Sequence, residues 1–165
     1  VAICEQIGWT LRVVEQLLLC GEVALAQDAP DEARTHFEDA RARAQHMGDD
    51  RLLTFALCGL GNAALADRDL GRARSIYRQA LEIAEEDGRD ELRCRAIVGL
   101  AMLERREGHL QPAMALVARA DRILRDPQPP IPDLLTASWM DVRIRTSQLY
   151  AELQRQMPPQ RLGDG

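Results

Sequence analysis

Three stretches of the chain coincide when shifted by 40 positions. Gly8, Gly48 and Gly88 match, as do Ala33, Ala73 and Ala113, then Phe37, Tyr77 and Val117, then Ala40, Ala80 and Ala120. Gly21, Gly61 and Ala101 complete the set. The positions between them drift. Small and large residues held at fixed intervals in a drifting background are what stacked units demand, because neighbours must interlock while their outer faces stay free.

Within one period the apolar residues recur at helical spacing twice. Leu53, Ala56, Leu57, Leu60, Ala63 and Ala64 make one face, and Ala73, Ile76, Tyr77, Ala80, Ile83 and Ala84 another. Each copy is therefore read as two amphipathic helices, giving helices near 11–27, 31–47, 51–67, 71–87, 91–107 and 111–125. The copies span 11–50, 51–90 and 91–128. Asp67 to Gly71 forms the turn inside the middle copy, and Gly88 closes its second helix in a conformation that glycine tolerates. Pro30 and Pro112 fall in first turns, where a missing amide costs nothing. The proline-rich run Asp126 to Pro132 interrupts the array, a last helix covers about Asp133 to Gln156, and the tail 157–165 reads as disordered. Residues 1–8 read as the end of a preceding repeat: shifting Ala84 and Gly88 back by two periods lands on Cys4 and Gly8, so the chain is expected to start inside a repeat.

The composition suits helices. Only 4% of residues are aromatic, whereas strands favour aromatic and β-branched side chains. The formal net charge of −5 argues against attraction of the whole protein to nucleic acid or an anionic membrane. Cys4, Cys20, Cys58 and Cys94 lack CxxC spacing and lie among apolar residues, as buried reduced thiols do. With no signal peptide and no apolar run of about 18 residues, a cytoplasmic protein is the expectation.

The pattern resembles the tetratricopeptide repeat family, whose motif sets a small residue late in the first helix and an Ala, aromatic, Ala series in the second. Leu60, Gly61, Ala73, Tyr77 and Ala80 fit it closely, Cys20, Gly21, Ala33, Phe37 and Ala40 almost as well, and the third copy more weakly, with Ala101 and Val117. The acidic connectors Gly48-Asp49-Asp50 and Gly88-Arg89-Asp90, with the long period, are similar to those of large ATP-binding LuxR-type bacterial transcriptional regulators. Neither a phosphate-binding loop nor a helix-turn-helix accompanies them here. The resemblance implies an all-α, right-handed superhelix of antiparallel helix pairs with a C-terminal capping helix. It also implies a non-catalytic scaffold that binds a protein or peptide, or the sensory segment of such a regulator.

By the family's geometry the first helices line a concave groove. Its positions here are Glu15, Leu18 and Glu22, then Phe55, Cys58, Asn62 and Leu65, then Arg95, Val98, Met102, Arg105 and Arg106. The groove would grade from acidic to basic and suit a peptide with an apolar anchor near Phe55 and Met102 and an acid near Arg95. The alternative is that these charges merely solvate an exposed face. The basic clamp that some such domains offer to a chaperone's terminal carboxylate is not matched, because Glu15 and Glu22 stand where cations are wanted. Ala33, Ala73 and Ala113 would face Gly21, Gly61 and Ala101, with Phe37 and Tyr77 filling the wedge toward the next unit.

Other signals are weak. Gly59, Gly61 and Ala64 satisfy a dinucleotide fingerprint, but in mid-helix and without a strand, so no cofactor is expected. His36, His46 and His109 show no metal-ligand spacing, and no catalytic constellation is present. In the last helix Leu135, Trp139, Val142, Leu149 and Leu153 form one apolar stripe, and Ala137, Met140 and Ile144 a second. One caps the third repeat, and the spare one, or the uncovered N-terminal end, would serve a homodimer; alternatively the helix folds back and buries both.

Overall fold

The computed structural model describes the backbone of residues 2–125 and 136–157 and the side chains of residues 9–125 and 141–157. The described residues form seven helices and no strand: α1 (Ala2–Ala26), α2 (Pro30–Met47), α3 (Asp50–Ala66), α4 (Leu70–Asp87), α5 (Asp90–Arg106), α6 (Leu110–Arg125) and α7 (Thr136–Gln156). Short connectors make α1/α2, α3/α4 and α5/α6 antiparallel pairs. Each first helix touches the next, α1 on α3, α3 on α5 and α5 on α7. The result is an all-α helical-repeat solenoid, with α7 in the place of a fourth pair's first helix.

Local chemistry explains the breaks. Gly48 and Gly88 end α2 and α4 at φ 66° and 77°, left-handed conformations that glycine adopts without strain. The Asp49 carboxylate then accepts from the Leu52 amide at 2.9 Å, and Asp69 from Arg72 at 3.0 Å, so acidic connectors act as helix caps. Inside the pairs, positions 28, 68 and 108 share a positive φ, and the amide that follows each bonds back to Ala24, Ala64 or Glu104. Asp126 to Leu135, the tail from Pro158, and the interruption and disorder expected there lie outside the described residues.

One expectation fails at the start of the chain. Gly8 was to end a preceding helix, yet α1 runs unbroken from Ala2 to Ala26. Glycine permits a left-handed stop but does not compel one. After Gly48 an aspartate caps the next helix, whereas the residue after Gly8 is Trp9.

The glycines of the first helices make the interlock. A Cβ at Gly21 would lie 2.6 Å from the Phe37 ring, and one at Gly59 would also collide with it; Gly61, at 2.5 Å, and Gly99 stand in the same relation to Tyr77. Each aromatic ring is thus seated between its own first helix and that of the next pair. The Phe37 and Tyr77 rings are the nearest groups to Gly21 and Gly61 on the side where a Cβ would stand. Phe37 and Tyr77 are fully buried, and the Tyr77 hydroxyl donates to Asn62 Oδ1 at 2.6 Å. Gly59, one of the three positions of the apparent nucleotide fingerprint, is accounted for by Phe37.

In the third pair both partners change together: Val117 replaces the aromatic and Ala101 the glycine. Gly61→Ala should therefore cost about 1–3 kcal/mol in urea denaturation by overpacking against Tyr77. Combined with Tyr77→Val, the loss should fall below the sum of the two single losses by about 0.5 kcal/mol or more. Additive losses would show that ring and glycine are not coupled.

Candidate functional site

The concave side holds a cavity of about 520 Å³ at which five helices converge. Glu15, Leu18, Leu19 and Glu22 come from α1, Phe37 from α2, Arg51, Leu52 and Phe55 from α3, Arg95 from α5, and Asp141 and Arg145 from α7. The Phe55 ring is the floor. The Arg95 guanidinium lies 4.3 Å from its centroid and that of Arg51 5.9 Å, positions in which a cation is attracted to the ring face.

Every cation at this cavity has an acid within the chain. Arg51 lies 3.8 Å from Glu15, Arg95 3.6 Å from Asp141, and Arg145 3.3 Å from Glu22 and 3.0 Å from Asp141. Arg145 thereby reaches from the last helix to the first. Burial would lower its pKa, but Glu22 and Asp141 hold it above its ordinary value. Deeper in, Arg105 pairs with Glu152 of α7.

Of the residues that the repeat register places in the groove, Glu15, Leu18, Glu22, Phe55 and Arg95 line this open cavity. Cys58, Asn62, Val98 and Met102 instead surround a residual space of only about 20 Å³, closed by Val142 and Arg145 of α7. Cys58 is buried there, and desolvation pushes its thiol up to about 12, so it is protonated and unreactive. Leu65 is no groove residue: it is buried with Ala73 and Tyr77 in the core between the helices. Arg106 is exposed and lies away from the cavity. The expected acidic-to-basic gradient is therefore cancelled locally, because α7 interleaves its own acids among the arginines. Sequence reasoning missed Arg51, Asp141 and Arg145. The polar positions of the last helix were a usable signal, but only its apolar stripes were followed.

The association surface expected on the last helix also needs correction. Val142, Leu149 and Leu153 are buried against Cys94, Ile97, Ala101 and Val117 of α5 and α6, since the end of the third pair needs an apolar cover. Leu135 and the side chain of Trp139 lie outside the described residues. From the second stripe Ile144 is exposed. At the other end, α1 exposes Trp9 (74%), Leu19 (58%) and Val23 (55%), beside a broad hollow of about 1080 Å³ along its outer flank. That hollow is the larger, but among the described residues α1 alone lines it, whereas five helices converge on the concave cavity.

A second polar cluster sits on the α4–α5 side. Glu104, Glu107 and His109 bring ligand atoms within 4.8 Å of one another, a neighbourhood that sequence spacing did not reveal. The turn at Gly108 creates it by folding His109 back, its amide bonding to the Glu104 carbonyl at 2.9 Å. Arg74 already supplies the cluster's positive charge, donating to both Glu104, at 2.6 Å, and Glu107. Arg34 and Asp67 make the equivalent bond one period earlier, at 2.7 Å. These bonds tie one pair to the next.

The hydrogen bond from Arg74 holds the Glu104 carboxyl below its ordinary range, against the opposing effect of burial and with help from His109. A depressed folded-state pKa stabilises the fold above the unfolded carboxylate value, and that contribution is lost as pH falls through the folded value. Glu104→Gln should accordingly cost about 1 kcal/mol at neutral pH. In denaturation curves recorded at successively lower pH, the gap to the parent protein should close; a gap independent of pH would remove the ionic explanation.

Comparison with known proteins agrees with this architecture. Residues 14–86 match the tetratricopeptide repeat family model. No curated protein matches the chain. Among solved structures, the crystal structure of the TPR domain of Arabidopsis FLU is similar, with a TM-score of 0.62 and 22% sequence identity over 70% of this chain and 98% of that one. The fold is thus that of a tetratricopeptide repeat domain, a type that generally binds protein partners. No helix among the described residues is long and apolar enough to cross a membrane.

Proposed function

We propose that this chain is a non-catalytic module that binds a protein or peptide through its concave cavity. The observation that carries this reading is the open space of about 520 Å³ floored by Phe55, walled by Leu18, Leu19 and Leu52, and rimmed by arginines already balanced by acids. A wall of that kind rewards an apolar side chain, which gains area without disturbing charge, and uses the rim to orient what surrounds it. A bulky residue from an extended or helical segment enters between α1 and α3, and the paired Arg51 and Glu15 accept polar groups at its flanks. The rigid, ring-and-glycine stack behind the cavity limits the entropic cost of receiving it.

A peptide array probed with the whole chain, followed by fluorescence polarisation on the best sequence, tests this. Phe55→Ala should weaken binding about tenfold or more, the loss usual for a buried aromatic anchor. Arg95→Glu, which sets an acid against Asp141, should weaken it as well. Binding that neither substitution changes would overturn the assignment of the cavity.

A further inference from the structure

The inner half of the groove is full, and what fills it belongs to the chain itself. Asp141 stands 3.6 Å from Arg95, the place that a partner's acid would take in the groove. Its neighbour Val142 closes the small chamber lined by Cys58, Val98 and Met102, where an apolar anchor was expected. Arg145, one turn on, bonds to Glu22 on the opposite wall at 3.3 Å. We propose that the first turns of α7 are a tethered occupant of the groove, and that the partner is an amphipathic segment with an acid next to an apolar residue, which displaces them. This rests on the groove reading given above.

The chemistry of the contacts favours exchange. The ion pairs of Asp141 and Arg145 are at 3.0–3.6 Å and partly exposed, so water and a competing carboxylate can reach them. A partner's acid on Arg95 replaces Asp141 charge for charge, and Arg145 leaves still paired with Asp141 on the same helix, so no buried cation is left unpaired. Val142 leaves the core that it shares with Leu149 and Leu153, and those two, in the second half of α7, stay seated against α5 and α6. The lid is therefore the segment that carries Asp141, Val142 and Arg145, which moves while Leu149 and Leu153 stay seated.

Cys58 reports the state of this lid. Its thiol is buried below Val142, Arg145 and Arg95, whereas the Cys94 sulphur lies 3.7 Å from the Ala120 carbonyl of α6, in the core that Leu149 and Leu153 also cover. Movement of the Asp141–Arg145 segment, with Leu149 and Leu153 still seated over the core that holds Cys94, exposes Cys58 selectively; release of the whole of α7, or general loosening, exposes both. Alkylation of the full chain with iodoacetamide, read at each cysteine by mass spectrometry, should show Cys58 modified about fivefold faster in Asp141→Asn and in Arg145→Gln, with Cys94 unchanged, the factor expected from one partly exposed ion pair. A fluorescein-labelled peptide of alternating leucine and aspartate should bind Asp141→Asn about fivefold more tightly than the parent, because the in-chain competitor is weakened. It should also speed Cys58 modification in the parent protein.

Equal acceleration of Cys58 and Cys94, or none, would overturn the lid and leave α7 a structural cap. If the peptide binds with the same affinity to the parent and to Asp141→Asn and leaves Cys58 protected, the groove reading stands and the displacement falls. Selective exposure of Cys58 without peptide binding to any form, in the array as well, would sink the groove reading and this proposal with it.

Discussion

The seating of an aromatic ring between two glycines is the contact on which the rest of the structure depends. Phe37 lies against Gly21 and Gly59, and Tyr77 against Gly61 and Gly99, so each ring belongs at once to its own pair and to the next. Absent side chains let the helix backbones approach until the ring fills the gap, and the filled gap sets the angle between successive pairs. Curvature follows from repeating that angle. The concave wall, the cavity on it and the reach of Arg145 across to Glu22 are all consequences of this geometry.

Electrostatics then decides what the wall offers. Arginines from α3, α5 and α7 and acids from α1 and α7 meet at one place, so that each guanidinium is partnered inside the chain. On the other side, Arg34 with Asp67 and Arg74 with Glu107 repeat one period apart and staple consecutive pairs. The same kind of bond therefore serves two ends. Between pairs it reinforces a fixed stack, and at the groove it holds a helix that only the end of the chain contributes.

The first and last described helices, α1 and α7, depart from this interlock. Position 19 of α1 corresponds to Gly59 and Gly99 but carries leucine, and it is exposed where those glycines are covered by a ring. At the far end, α7 meets the third pair through Val142, Leu149 and Leu153 and buries them.

Much of this was legible in the residues. Periodicity sufficed for the helices of all three pairs, because amphipathic spacing and capping are local properties, and for Phe37 and Tyr77 as core, because bulk at a fixed interval has to be packed. The geometry of the resembled family put Glu15, Leu18, Glu22, Phe55 and Arg95 on one wall, and these five line the open cavity. Register could not show that α7 folds over Cys58, Val98 and Met102, that His109 turns back onto Glu104, or that α1 continues through Gly8. These depend on where segments distant in sequence, or a turn's direction, bring side chains together. The sequence by itself determined a stack of helix pairs, since repeated small and large residues leave no other way to bury themselves. Only the tertiary structure decided which part of the groove is open, since that depends on the path of a helix outside the repeat and on charges more than 100 residues apart meeting in space.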